Sequence, residues 1–297
     1  MPYRISGHET GIVRNPRLLV EEQEAMVELG VGKNMVRSIR FWSQAADVVR
    51  LEPKSRGYQL TRLGAELLGD RGHDQFLEDI QTLWLIHWNL ATSVESPLLA
   101  WDYLMNRHEP EIIPSRAVSE LEKEASKDDR KLSSATVKQH FDTFIHTYVP
   151  PRGRKGEVQE DDLDCPLVEL ELLLKIGDRE IDRTSGRREP VYAFRRDEKP
   201  EISQELFLYC LHDFWTERHG NEQTLSFSEV AHGHGGPGQI FKLAEDEIRA
   251  RLEDLAGRKS ACLKYIESAN LRQLRRSDRP NQISLLQKIY SLHRAHA

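Results

Sequence analysis

The sequence predicts a mainly α fold with small β-hairpins, arranged as tandem winged-helix-like modules joined by connecting helices. Apolar residues recur at helical spacing over most of the chain, whereas strand-like runs are short and come in pairs. One arrangement occurs three times: a helix, a short turn, a second amphipathic helix, then a strand pair. A composition of 38% hydrophobic and 30% charged residues in 297 supports small cores beneath a very polar surface. The expected divisions are residues 1–72, an N-terminal winged helix-turn-helix, 73–200, a helical connector with a second module, and 201–297, a C-terminal module.

In the first module, Asn15-Pro16 supplies an N-cap followed by proline at the first helical position, predicting a helix over 15–29. Gly30-Val31-Gly32 then turns into a second helix. At about 100° per residue, Met35, Ile39, Trp42 and Ala46 share one stripe of it, and Lys33, Arg37, Arg40 and Gln44 the opposite one. A wing follows, with strands at 48–51 and 58–61 around a turn through Lys54, Ser55, Arg56 and Gly57. A short helix from Gly64 to Leu68 closes the module. Residues 33–62 carry seven Lys/Arg against two Asp/Glu, in a chain of formal net charge −6. A helix with an apolar back and a front of cations plus an amide suits the major groove, where Arg and Lys meet phosphates or guanine and Gln meets adenine. Arg14, Asn34, Lys54 and Arg56 complete the candidate DNA-contacting set. An amphipathic surface helix followed by a plain hairpin is the competing reading.

The second module begins near Pro114-Ser115, with Val118, Leu121 and Ala125 along one helix. Ser133-Ser134 caps the next, whose stripe is Val137, Phe141, Phe144, Ile145 and Tyr148, and Pro150-Pro151 ends it. Strands are expected at 169–176 and 191–196, with a charged loop over 177–190 between them. The third module has a helical turn at 226–231, a glycine-rich turn at 233–238, a helix through Ile248, Leu252 and Leu255, and a wing strand at 262–266. Connecting helices are expected at 75–92, 97–107 and 203–219. The second helices of these two modules carry Gln139, Asp142 and His146, or Asp246 and Glu253, opposite their apolar stripes. Phosphate would be repelled or indifferent there, which leaves the first module as the primary DNA reader. A late basic patch, Arg258, Lys259, Lys264, Arg272, Arg275 and Arg276, is either an auxiliary phosphate contact or a solvated face.

Mild acidity argues against coating nucleic acid through bulk charge, so contacts must come from local patches. Cys165, Cys210 and Cys262 lie far apart with no C-x-x-C spacing, against a zinc ribbon, an iron–sulfur site or a disulfide framework. MPYRISGHET lacks the apolar run of a signal peptide, and residues 83–88 are too short to span a bilayer. A cytoplasmic protein is expected.

For chemistry, Ser6-Gly7-His8-Glu9-Thr10 places a general base or metal ligand beside an acid, or else forms a hydrogen-bonded turn. Glu160, Asp161, Asp162 and Asp164 can hold Mg²⁺ at a scissile phosphate, or form a solvated acidic loop. The run from His232 to Gly238 lacks the Gly-Lys-Ser/Thr ending of a phosphate loop, and reads as a turn that lets Ile240, Phe241, Lys242 and Leu243 pack. His87, among Trp84, Leu85, Ile86 and Trp88, reads as a core histidine. No nucleotide or organic cofactor is expected.

Taken in order, Ser-Gly-His-Glu-Thr at 6–10, the basic winged helix, Leu163-Asp164-Cys165-Pro166-Leu167, the run Gly236-Pro237-Gly238-Gln239-Ile240-Phe241-Lys242-Leu243, and Asn270-Leu271-Arg272-Gln273-Leu274 resemble the SspB family over nearly the whole chain. These proteins are encoded beside bacterial DNA phosphorothioation genes. After the first motif the family usually has Phe-Pro-Leu-Arg, whereas this chain has Gly11-Ile12-Val13-Arg14, with Arg14 keeping the basic position. The resemblance implies a DNA-binding, strand-nicking protein of a phage-defence system. It also implies partnership with a cysteine desulfurase, an ATPase and a sulfurtransferase-like protein. A Mg or Mn requirement follows, with His8 and Glu9 as the catalytic candidates and the metal ligands unassigned. A non-catalytic DNA-binding adaptor or transcriptional regulator is the alternative.

Overall fold

The computed structural model describes residues 12–127, 132–150, 165–182, 186–258, 261–268 and 271–293. The fold is mainly α with small antiparallel sheets, as predicted. The chain opens with α1 (Glu22–Leu29), α2 (Lys33–Ala45), the hairpin β1 (Val49–Glu52) and β2 (Gly57–Leu60), and α3 (Arg62–Leu68). Next come α4 (Ile80–Thr92) and α5 (Leu99–Asn106). The second helix pair is α6 (Pro114–Lys127) and α7 (Ser134–Tyr148), served by a sheet of β3 (Glu111–Ile112), β4 (Leu173–Asp182) and β5 (Arg187–Phe194) in the order β3-β5-β4. After α8 (Gln204–His219) follow β6 (Thr224–Ser226), α9 (Phe227–His232), α10 (Pro237–Phe241) and α11 (Glu245–Ala256). The hairpin β7 (Leu263–Ser268) and β8 (Leu271–Arg276) joins β6 in the order β6-β8-β7, and α12 (Gln282–His293) comes last.

Local chemistry explains many of the boundaries. Gly30 ends α1 at φ +66, a left-handed conformation that costs glycine little. Thr61, Asp79, Ser133 and Ser203 each accept a backbone N–H at the start of α3, α4, α7 and α8. The α7 stripe of Val137, Phe141, Phe144, Ile145 and Tyr148 is buried as the periodicity requires, and so is Ile248, Leu252 and Leu255 on α11.

Several boundaries differ from expectation. Asn15-Pro16 starts a series of turns, not the helix, which begins at Glu22. The Asn15 carboxamide accepts from Arg17 N at 3.1 Å, and the Pro16 carbonyl accepts from Tyr58 N at 2.6 Å, so the segment is held against the hairpin. The supposed loop 177–190 is largely β-structure. There Asp178 pairs with Pro190, Arg179 with Glu189 and Glu180 with Arg188. The charges there are engaged by the sheet, with Arg179 2.7 Å from Glu111 of β3 and Arg188 donating to the Asp178 carbonyl at 3.4 Å, so a ladder forms where polarity alone suggested a loop. On α6 the buried stripe is Ala117, Leu121 and Ala125, with Val118 at its margin.

The larger of two apolar clusters among the described residues runs from Leu19 to Tyr290. At its centre, four elements are joined by hydrogen bonds between fully buried groups. Trp101 Nε1 of α5 donates to the Tyr148 hydroxyl of α7 at 2.8 Å. That hydroxyl lies 2.7 Å from His87 Nδ1 on α4, and His87 Nε2 lies 3.1 Å from the Ile240 carbonyl of α10. A carbonyl only accepts, so Nε2 carries the proton and Nδ1 accepts from the tyrosine. His87 is thus the core histidine that its apolar neighbours predicted, and burial pushes its pKa down to about 4.

The glycine-rich turn before α10 works as expected. A Cβ on Gly238 would lie 2.5 Å from Ile248 Cδ1 and 2.7 Å from the Ala231 carbonyl, so only glycine allows α9, α10 and α11 this approach. Ile240, Phe241, Lys242 and Leu243 are all buried. The same run caps the end of α5. Gly235 N donates to Asn106 Oδ1 at 2.7 Å, Gln239 Nε2 to the Arg107 carbonyl at 2.9 Å, and Lys242 Nζ to the Met105 carbonyl at 2.5 Å. Burial, with Arg196, Arg107 and Lys199 nearby, lowers the Lys242 pKa well below its usual range. Its Nζ satisfies one of the orphaned carbonyls at the end of α5, that of Met105.

Candidate nucleic-acid interface

The basic segment forms the predicted succession of helix, turn, helix, hairpin and short helix, with hairpin strands one residue from their expected places. The packing of α2 differs. Its buried positions are Val36 and Ser43, Met35 is 41% exposed, and Ile39 and Trp42 are half-buried. The helix is wedged between two neighbours. Val36 packs with Leu18 and Ala25 on the α1 side, while Trp42 meets Trp101 of α5 edge-on at 5.7 Å. The apolar stripe is therefore rotated by about one residue from the one the sequence suggested.

That rotation changes the surroundings of the cations. Lys33 Nζ lies 3.3 Å from a Glu22 carboxylate oxygen of α1, Arg37 Nε 2.7 Å, and Arg40 Nη2 4.0 Å. Arg37 binds with both Nε and Nη2, and Arg40 also donates to the Leu19 carbonyl at 3.3 Å. The Arg37 hydrogen bonds, then those of Lys33, hold the Glu22 carboxyl below its usual pKa, and Glu22 in turn raises that of Arg37. Lys33 and Arg37 remain at least half exposed, so they can reach outward, but they share one carboxylate. Gln44 is engaged too, accepting from the Tyr58 hydroxyl at 3.1 Å and tying α2 to the hairpin. Asn34 is exposed on the first turn of α2, and Arg14 is exposed in the turn before Asn15.

The hairpin tip is different. Lys54 and Arg56 are exposed, and neither makes an ion pair among the described residues. Arg50, 3.3 Å from Asp47, shares a face with its cross-strand partner Gln59. Sequence reasoning missed Glu22, whose contact is tertiary. It also missed Phe41, 50% exposed on α2 and edge-on to Trp42 at 5.1 Å, because alternation of polarity hid it among the cations. The surface combines an exposed aromatic ring, exposed cations on a hairpin and partly neutralised cations on a helix.

His8, Glu9 and the acidic run at 160–164, on which the predicted chemistry falls, lie outside the described residues. Among the described residues, no group of three or more His, Cys, Asp or Glu is arranged to hold a metal ion. No helix among them is long and apolar enough to cross a membrane.

These features define a helix–turn–helix and hairpin protein with a basic N-terminal surface. The model of a family described as a protein of unknown function (DUF4007) matches residues 10–290, and the chain belongs to that family. No curated protein matches it. Among solved structures it is similar to a magnesium ion-bound SspB, with TM-score 0.79 and 26% identity over 93% of this chain and 81% of that one. A second SspB crystal structure shares the fold at TM-score 0.78 and 24% identity, over the same shares of the two chains. The resemblance to the SspB family read from the motifs is borne out.

Proposed function

We propose that this chain is the DNA-binding component of a bacterial DNA phosphorothioation system, and that it nicks one strand to give the modification machinery access. In this reading, residues 12–68 act as a winged helix. The observation that carries it is the basic surface of α2 and the hairpin tip, on a chain similar to SspB over 93% of its length. Lys54 and Arg56 reach backbone phosphates, while Lys33, Asn34, Arg37, Arg40 and Gln44 lie along the groove with Arg14 beside them. Strand cleavage needs a polarised phosphate and an activated nucleophile. His8 and Glu9 are the candidates for base and acid or ligand, with Mg²⁺ or Mn²⁺ as the divalent ion. A magnesium ion in a similar structure supports that choice. The expected partners are the cysteine desulfurase, the ATPase and the sulfurtransferase-like protein of the system, in the cytoplasm.

A second reading, a non-catalytic DNA-binding adaptor or regulator, draws support from His87, Lys199 and Lys242. These strongly perturbed groups all serve internal contacts. Two measurements test the proposal. Lys54→Ala with Arg56→Ala weakens binding to labelled duplex and lowers the salt slope by about 0.9 for each phosphate that is no longer neutralised. An unchanged slope rejects the interface. Wild-type protein relaxes supercoiled plasmid with Mg²⁺ or Mn²⁺, whereas His8→Ala and Glu9→Gln bind DNA but do not nick. Loss of nicking in Asp161→Asn with Asp164→Asn, while His8→Ala stays active, moves the chemistry to the acidic run. Clean protein that binds but never nicks, alone or with its partners, establishes the adaptor.

A further inference from the structure

The C-terminal sheet β6-β8-β7 separates its charges by face. On the inner side, Leu225, Leu263 and Leu274 are buried. Carboxylates and cations there are matched: Arg272 Nε lies 3.1 Å from Glu267, Arg249 of α11 reaches the same carboxylate at 3.7 Å, and Tyr265 donates to it at 3.0 Å. Arg276 is buried against Trp215 and donates to the Gly220 and Glu222 carbonyls, both at 3.0 Å. Arg258 is held by Glu205 at 2.9 Å and Asp254 at 2.7 Å.

The outer side has no such matching. Register places Thr224 opposite Arg275, and Arg275 opposite Lys264, in one row across the three strands. The adjacent row is Ser226, Gln273 and Ile266. Neither row contains a carboxylate, and Thr224, Lys264 and Arg275 are all exposed. Lys264 and Arg275 make no ion pair or side-chain hydrogen bond among the described residues, although every other described arginine of this hairpin does. Directly opposed like charges stand about 5 Å apart at Cβ and destabilise a ladder. The fold gains nothing from this pair, whereas a bound anion would relieve it. The segment 258–276 carries six Lys/Arg against one Glu in a chain of net charge −6, so the concentration is local.

We propose that the outer face of this sheet, centred on Lys264, Arg275 and Thr224, is a second contact for the phosphates of a nucleic-acid backbone. It rests on the reading of the chain as a DNA-binding protein. Two adjacent cations, a hydroxyl and the Gln273 amide offer donors to phosphate oxygens without reading bases. The occupant follows from charge complementarity. Of the exposed apolar residues of this face, Ile266 lies in the adjacent row and Leu271 beside the hairpin turn, so neither interrupts the row of Lys264 and Arg275. The helix of this unit cannot play that part. Its Glu245, Asp246, Glu247, Glu253 and Asp254 repel phosphate, and Arg249 places α11 against the inner face with Glu267. The third unit thus uses its hairpin, and the contact adds affinity but no sequence preference.

The test uses the full chain and duplex DNA of mixed sequence. Lys264→Gln with Arg275→Gln is expected to lower the salt slope by about 1–2 and weaken binding roughly 5- to 50-fold near 0.1 M salt. Discrimination between sequences should not change. Its thermal midpoint should equal or exceed that of wild type, because a like-charge pair is removed. Lysine acetylation of the wild-type protein, read by mass spectrometry, gives a measure that needs no variant: DNA should protect Lys264. Wild-type binding with an unchanged slope in the variant and no protection of Lys264 overturns this proposal and leaves the first interface intact. Protection of Lys264 by another protein of the system but not by DNA also overturns it, in favour of an acidic protein surface. Failure of the wild type to bind duplex at all rejects both readings.

Discussion

Removing the Tyr148 hydroxyl should be among the most damaging single-atom changes available to this protein. Tyr148→Phe keeps the ring, its packing on Phe144 at 5.3 Å and the buried volume, and deletes one oxygen. That oxygen accepts from Trp101 Nε1 at 2.8 Å and donates to His87 Nδ1 at 2.7 Å. Trp101 is 3% exposed, Tyr148 1% and His87 0%, so water has little access to replace it. Two buried polar groups are left unsatisfied, each costing about 1–3 kcal/mol, for a total of roughly 2–6 kcal/mol. Urea unfolding should show this as a lower midpoint at unchanged slope. Combined with Trp101→Phe, the two effects should be far from additive, because they remove opposite ends of one hydrogen bond. The same network sets an acid limit. His87 is neutral in the folded protein with a pKa of about 4, against about 6.5 unfolded, so below pH 6.5 the unfolded chain binds more protons. Stability therefore falls as pH drops from 6.5 to 4, by up to about 3 kcal/mol from this residue. A Tyr148→Phe variant within about 0.5 kcal/mol of wild type would refute the network, as would an acid limb that survives unchanged in His87→Gln.

Two further expectations follow from charge. Burial pushes the Asp213 carboxyl up to about 6, with Glu217 and Asp47 adding to it against the opposing Trp88 hydrogen bond, so the folded state is weakened as pH rises from about 4 through 6. Asp213→Asn keeps an oxygen for Trp88 Nε1, now 2.8 Å away, and should stabilise the protein at pH 8 by about 1–2 kcal/mol, after discounting for partial exposure. A lower melting temperature at pH 8 would show that the carboxylate is needed as a charge. Glu22→Gln should release Lys33, Arg37 and Arg40, tightening DNA binding and steepening its salt dependence by about 0.9 for each additional phosphate neutralised. Weaker binding in a folded variant would mean that Glu22 positions these cations rather than neutralising them.

Much of the architecture was legible because it depends on local rules. The α7 and α11 stripes, the Ser133 cap, the Gly30 turn and the tight packing around Gly238 follow from periodicity and backbone geometry, which neighbours in sequence specify. His87 was readable for the same reason, since its flanking tryptophans mark a buried helix face. The strands over 177–190 were hidden because their residues are charged, and pairing between distant charges is not visible along one chain. α12 was not anticipated at all. Its Leu285, Leu286, Ile289 and Tyr290 find their partners on α8 and α4, where Tyr290 meets Thr82 at 2.8 Å.

The sequence by itself determined that residues 33–62 concentrate positive charge on a helix and hairpin in an otherwise acidic chain, because composition and period are properties of the chain alone. Only the tertiary structure decided which of those charges remain available. Glu22 arrives from α1 to share Lys33, Arg37 and Arg40, while Lys54 and Arg56 at the hairpin tip have no ion pair among the described residues and Lys264 faces Arg275 across β7 and β8. Charge is carried by residues, but its neutralisation depends on distances between segments that only folding brings together.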